Sequence, residues 1–141
     1  MVTIADVKNV QTSWNSIKDK WETDHGLNFY TTLFDDVPEI KSAFVKAGNK
    51  TDYQVKGQAV RFGRMVTEWI DNLDNEEALV AKINGMCATH RTRGITNVDL
   101  FEVALGELVK YIAGKTSFTK AQRESWAVVN GCIIQTMRNY F

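Results

Sequence analysis

Histidine is scarce in this chain of 141 residues: only His25 and His90. His90 lies in Met86-Cys87-Ala88-Thr89-His90-Arg91-Thr92-Arg93-Gly94-Ile95, where a helix-like segment ends, two arginines follow and a glycine stops the helix. A neutral imidazole is a good iron ligand, and oxygen carriers hold haem iron this way. His90 is therefore read as a candidate axial ligand. A lone histidine near a helix end more often just complements the helix dipole, so the reading depends on whether the other segments could wrap a haem. The remaining chemistry-bearing stretches offer less. Asp71-Asn72-Leu73-Asp74-Asn75 lacks the glycine and the spaced acidic ligands of a calcium loop and reads as a solvated turn. Cys87 and Cys132 each sit in an apolar helical stretch and read as buried thiols, not a disulfide. Asn49-Lys50-Thr51 matches a glycosylation acceptor by chance if the chain is not secreted.

The elements that must position these residues are helical. A single proline, Pro38, and long runs of apolar residues at spacings of three and four exclude most strand-rich architectures. One domain over residues 1–141 is expected, large enough for its own core. Lys+Arg and Asp+Glu are both 17, so no charge excess points to nucleic acid or an anionic membrane surface. No apolar run approaches the roughly 18 residues of a membrane span. The first residues lack the basic start and apolar run of a signal peptide, so a cytoplasmic location is expected.

Thr3-Ile4-Ala5-Asp6 reads as a capping box that opens a helix over about 4–21, with Val7, Val10, Trp14, Ile17 and Trp21 on one face. Thr23 or Asp24 can cap the next helix, which turns Leu27, Tyr30, Leu33 and Phe34 inward. Pro38 suits the first turn of a short helix to about Phe44, and 45–51 read as a polar loop. A long helix over about 52–73 carries Val55, Gln58, Phe62, Val66, Trp69 and Leu73. A further helix leads through Leu79, Ile83 and Met86 to His90. Thr96 or Asn97 caps a helix with Phe101, Leu105, Leu108 and Ile112 that Gly114 and Ser117 break. Thr119-Lys120-Ala121-Gln122 caps the last one, with Trp126, Val129, Ile133 and Met137.

In order along the chain, several local patterns resemble the globin family. Trp14 falls midway along the first helix. Pro38 is followed six residues later by Phe44. Gln58-Ala59-Val60-Arg61-Phe62 is similar to the start of the helix over the distal haem face, and His90 with Arg93-Gly94-Ile95 to the proximal region. The resemblance spans essentially the whole chain. Trp69 to Asn75, taken with His90 to Ile95, looks most like intracellular haemoglobins of bivalve molluscs. It implies an all-α globin fold of about seven helices around a buried haem b. His90 would then be the proximal ligand and the metal-binding residue. Phe44 would stack on the haem, Phe62 would wall the ligand pocket, and Lys46, Arg61 and Arg93 would be candidates for the propionates. Phe44 and Phe62 could equally be core residues, and the three cations solvated surface charge of little energetic weight.

The chain departs from the commonest globin pattern where a distal histidine is usual: that position holds Gln58. Tyr30 and Gln58 stand at equal separations before and after Phe44. A hydroxyl and an amide over the iron could both donate hydrogen bonds to O₂, which becomes partly negative on binding. Tyr30 could instead be a core tyrosine bonded to a backbone carbonyl. Similar Tyr/Gln pockets occur among haemoglobins of sulfide-associated clams. His25 has no distal placement and reads as a surface or structural residue.

The function implied is reversible O₂ transport or storage, with CO and NO as further ligands and no enzymatic role. The alternatives are nitric oxide dioxygenation or peroxidase-type oxidation, and gas sensing or sulfide handling. Against dioxygenation, 141 residues leave no room for a reductase domain. Against a dedicated peroxidase, the distal side lacks a His/Arg pair, although Arg61 could swing inward. A sensor would need a separate output partner, and fold alone does not decide between these roles. A homodimer through the helices flanking the haem is a further assembly the resemblance brings in.

Overall fold

Thr3 opens the first helix as the sequence predicts: its Oγ1 accepts the Asp6 N–H at 3.1 Å, and the Asp6 carboxylate accepts the Thr3 N–H at 3.0 Å. The computed structural model describes residues Met1–Phe141 as seven α-helices and no strand: α1 (Ile4–Lys18), α2 (Gly26–Asp36), α3 (Pro38–Lys46), α4 (Asp52–Asp71), α5 (Glu76–Thr92), α6 (Val98–Lys115) and α7 (Lys120–Tyr140). Capping boxes at Thr51/Gln54 and Thr119/Gln122 start α4 and α7, and Asn75 and Asn97 side chains cap α5 and α6. Pro38 stands at the start of α3, where its missing N–H costs nothing.

The chain between α1 and α2 differs from the sequence expectation. α1 stops at Lys18 and does not reach Trp21, and neither Thr23 nor Asp24 caps α2. Instead a π-helical turn, Trp21–His25, winds directly into α2, so backbone bonds satisfy the donors a side chain would otherwise cap. The wider turn re-aims Trp21 from the face of α1 onto α4. Its indole N–H donates to the Ala59 carbonyl at 2.8 Å, and the ring lies where a Cβ on Gly63 would be 2.3 Å from Trp21 Cδ1. A Cβ on Gly26 would likewise come within 3.1 Å of the Ala59 Cβ. Small residues at both helices thus let α2 cross α4 at close range.

α7 packs against α1, α5 and α6. Val10, Trp14 and Ile17 of α1, Val66 and Trp69 of α4, Leu108 and Ile112 of α6, and Trp126, Val129, Ile133 and Met137 of α7 belong to one continuous buried core. Two of its indoles find partners, as buried polar groups generally do: Trp14 Nε1 donates to Thr67 Oγ1 at 3.0 Å and Trp126 Nε1 to Ser13 Oγ. Smaller departures follow the same logic of packing over local pattern. α4 ends at Asp71, with Leu73 buried just beyond it. Gly114 lies inside α6, which runs to Lys115. Cys87 is buried and Cys132 half-buried, and both thiols are free. No helix is long and apolar enough to cross a membrane.

Candidate functional site

Two helix ends of the same construction present the two residues on which the site turns. α3 ends at Ala47 and Gly48, with the Gly48 N–H on the Val45 carbonyl and the Asn49 N–H on the Phe44 carbonyl at 2.9 Å. α5 ends at Arg93 and Gly94, with the Gly94 N–H on the Arg91 carbonyl and the Ile95 N–H on the His90 carbonyl at 2.9 Å. Both are Schellman motifs, and both need a left-handed residue: Gly48 has φ 97° and Gly94 φ 74°. Phe44 and His90 each supply the carbonyl that closes the motif, so the backbone at both positions is fixed by hydrogen bonds.

His90 is half-buried on the last turn of α5. Its Nδ1 lies 2.8 Å from the Met86 carbonyl oxygen. A carbonyl only accepts, so Nδ1 carries the hydrogen, and in the neutral ring the lone pair is then on Nε2. The ring meets Phe101 of α6 edge-on, centroids 5.2 Å apart. Phe101 stacks in turn on Phe141. Arg91, beside His90, holds that end of α7 by donating to the Tyr140 carbonyl at 3.1 Å and lying 4.7 Å over the Tyr140 ring.

A second group of candidate residues is aromatic. Tyr30 packs against Phe34, Phe44 and Phe62 with centroids 5.7, 5.2 and 5.9 Å away, and Phe29 stacks on Phe62. The Tyr30 ring is buried at 4% exposure, which pushes its hydroxyl well above the ordinary tyrosine range and keeps it a protonated donor; the charge of Arg61 pulls weakly the other way. The one sealed side-chain polar atom without a partner is Asn130 Oδ1. The Tyr30 hydroxyl, which no protein group hydrogen-bonds, is therefore open to the space beside it. Gln58, one turn before Phe62 and half-buried, donates from Nε2 to Asn49 Oδ1 at 3.2 Å.

The structure thus brings Tyr30, Phe44 and Phe62 into one cluster, sets Gln58 beside it on α4, and puts His90 on α5 against Phe101. Lys46, Arg61 and Arg93 are exposed, and the ion pairs of the chain use other residues. His25 is structural: its Nδ1 lies 2.9 Å from the Tyr111 hydroxyl, and burial holds its pKa below the usual histidine value. Sequence reasoning missed Asn49 and gave Phe101 no role beyond its helix face. The adjacent Gly48 is the sign that could have found Asn49, since a residue after a helix-ending glycine is tethered to the preceding turn.

The family model described as Globin matches residues 27–137. Globin-1 of Phreagena soyoae is 46% identical over 140 residues, covering 99% of this chain and 97% of that protein. Globin-2 of the same organism is 42% identical over 137 residues, covering 97% and 96%. Hemoglobin-3 of Phacoides pectinatus is 31% identical over 124 residues, covering 83% and 80%. With seven helices crossing as described, a matched stretch running from α2 nearly to the end of α7, and bivalve relatives aligned along almost the full chain, this protein belongs to the globin family and is related to the globins of bivalve molluscs.

Proposed function

We propose that the chain is a haem b protein that binds O₂ reversibly for transport or storage, with His90 as the iron ligand. The observation that carries this is the His90 hydrogen bond to the Met86 carbonyl, which leaves Nε2 of the neutral ring free to ligate. Globins typically hold haem b, and the residues present fit it. The chain has no cluster of three or more His, Cys, Asp or Glu to hold a bare ion, whereas a tetrapyrrole brings its own four donors and needs one imidazole. Phe44, Phe62, Met65, Met86, Leu100 and Phe101 are apolar and pack against the core, yet are only partly buried, as walls facing a flat apolar group would be. Haem, when bound, supplies an iron that takes up and releases diatomic gases such as O₂, CO and NO.

The other residues bind and orient. With haem bound, Phe44 and Phe62 would exclude water, Tyr30 and Gln58 would donate hydrogen bonds to O₂, and the exposed Lys46, Arg61 and Arg93 would be the cations available to the propionates. We infer one domain over residues 1–141, because α1 outside the matched stretch packs on α7 inside it. A cytoplasmic location fits two free thiols. A non-enzymatic role fits relatives that are named globins and a haemoglobin. The test is an absorption spectrum of the purified protein with dithionite and then CO, alongside His90→Gly. A five-coordinate ferrous spectrum that shifts with CO is expected. His90→Gly should lose its haem and regain it with added imidazole; an unchanged Soret band in His90→Gly without imidazole refutes the ligand.

A further inference from the structure

We propose that Asn49 is the positioning residue of Gln58, fixing which end of the amide the ligand meets. This rests on the reading of Gln58 as a ligand-facing donor. A glutamine amide has a donating and an accepting end, and an O₂ ligand that gains negative charge is helped only by the first. A glutamine standing alone on a helix can turn either end inward. Here Nε2 is engaged by Asn49 Oδ1 at 3.2 Å. That contact uses one of the two N–H groups and leaves the second, on the same nitrogen, for the ligand.

The main chain that carries the acceptor is held by hydrogen bonds on both sides. The Asn49 N–H donates to the Phe44 carbonyl at 2.9 Å, closing the end of α3 behind Gly48. The next two N–H groups, of Lys50 and Thr51, both donate to Gln54 Oε1, at 2.8 and 3.1 Å. Asn49 is therefore anchored on one side to the carbonyl of Phe44 and on the other to the first turn of α4, from which Gln58 projects. Asn49 and Gln58 are both half-buried, so water competes less for their bond than on an open surface. One residue thus ties Phe44, through its backbone N–H, to the Gln58 amide, through its Oδ1.

The experiment compares holoprotein variants Asn49→Leu, Asn49→Asp, Gln58→Leu and the Asn49→Leu/Gln58→Leu double. It reads O₂ and CO dissociation by stopped flow and the infrared C–O stretch of the CO complex. Leucine removes the acceptor at similar volume, and aspartate keeps an acceptor at the same reach. Asn49→Leu should speed O₂ release about 2- to 10-fold, the range of one ordinary hydrogen bond. CO release should change far less, and the C–O stretch should move in the direction Gln58→Leu moves it. Asn49→Asp should stay near the wild type, and the double variant should match Gln58→Leu alone. If Gln58→Leu changes O₂ release and the stretch but Asn49→Leu changes neither, Asn49 does not position the amide and the Gln58 reading stands. Equal acceleration of O₂ and CO by Asn49→Leu, or an undiminished effect in the Gln58→Leu background, also overturns the proposal. No effect of Gln58→Leu on O₂ release refutes the underlying reading and this inference with it.

Discussion

Adding one methyl at Gly63 tests the crossing that aims the aromatic wall. An alanine Cβ there would lie 2.3 Å from Trp21 Cδ1 and 2.6 Å from Nε1. The indole has little room to yield, because Trp14 and Phe29 flank it with centroids 5.2 and 5.6 Å away and only 2% of the residue is exposed. If the ring stays, overpacking costs about 1–3 kcal/mol. If it swings, the N–H leaves the Ala59 carbonyl and a buried donor goes unpaired, about 1–3 kcal/mol more. Replacing glycine by alanine inside a helix returns roughly 0.5–1 kcal/mol. Gly63→Ala should therefore be destabilised by about 0–2.5 kcal/mol if the ring stays and about 1–5.5 kcal/mol if it swings, against a gain at an unhindered glycine. Gly106→Ala and Gly131→Ala are the controls: both positions are exposed within helices and a Cβ there meets nothing within 4 Å. They should gain about 0.5–1 kcal/mol. Because Trp21 and Phe29 both press on Phe62, Gly63→Ala should also lose haem faster. Equilibrium urea unfolding of the three variants reads the first effect and haem transfer to an apo acceptor the second. A Gly63→Ala protein as stable as the two controls refutes the close-crossing argument.

Tyr30→Phe and Gln58→Leu should each speed O₂ release, by about 5- to 150-fold if the lost bond is worth about 1–3 kcal/mol, with CO much less affected. Unchanged O₂ release in both would leave Tyr30 as a core residue. Removing haem should lower the melting temperature and loosen residues 76–95, since a tightly held ligand at a thousandfold excess over Kd adds roughly 4 kcal/mol; equal apo and holo melting would count against the pocket. Burial lowers the His25 pKa in the folded chain, so the unfolded chain binds more protons just below the ordinary histidine value of 6.5. His25 should therefore cost stability as pH falls through that value, with Asp24 opposing and Lys20 and Lys115 reinforcing the effect. His25→Gln should flatten the stability profile measured by urea unfolding from about pH 7 down to pH 5; an unchanged slope contradicts the assignment.

Most of the fold could be read from spacing and caps because these are local. Thr3, Thr51 and Thr119 each stand three residues before an acid or glutamine, and each forms the capping box that pattern implies. The failure between Trp14 and Leu27 has a tertiary cause. Trp21 continues the periodicity of α1, so pattern alone extends that helix through it. What draws it away is the notch at Gly63 and the Ala59 carbonyl, far along the chain, and no local spacing encodes a partner on α4. The same holds for His25, whose partner is the Tyr111 hydroxyl on α6.

For the site, the sequence supplied residue types and the structure supplied their restraints. The glycines after Phe44 and His90 announce helix ends. They do not announce that each closes a Schellman motif on the carbonyl of a candidate site residue, which requires the positive φ at Gly48 and Gly94. A helix ending in that motif cannot fray at its last turn without breaking two backbone bonds. The backbone under Phe44 and His90 is thereby held at both helix ends, and both residues are half-buried. The tautomer of His90 follows from the same turn, since the Met86 carbonyl that Nδ1 meets lies one helical turn back on α5. The two Schellman ends thus fix the backbone that carries the Phe44 ring and the His90 imidazole, and that restraint follows from Gly48 and Gly94, not from either side chain.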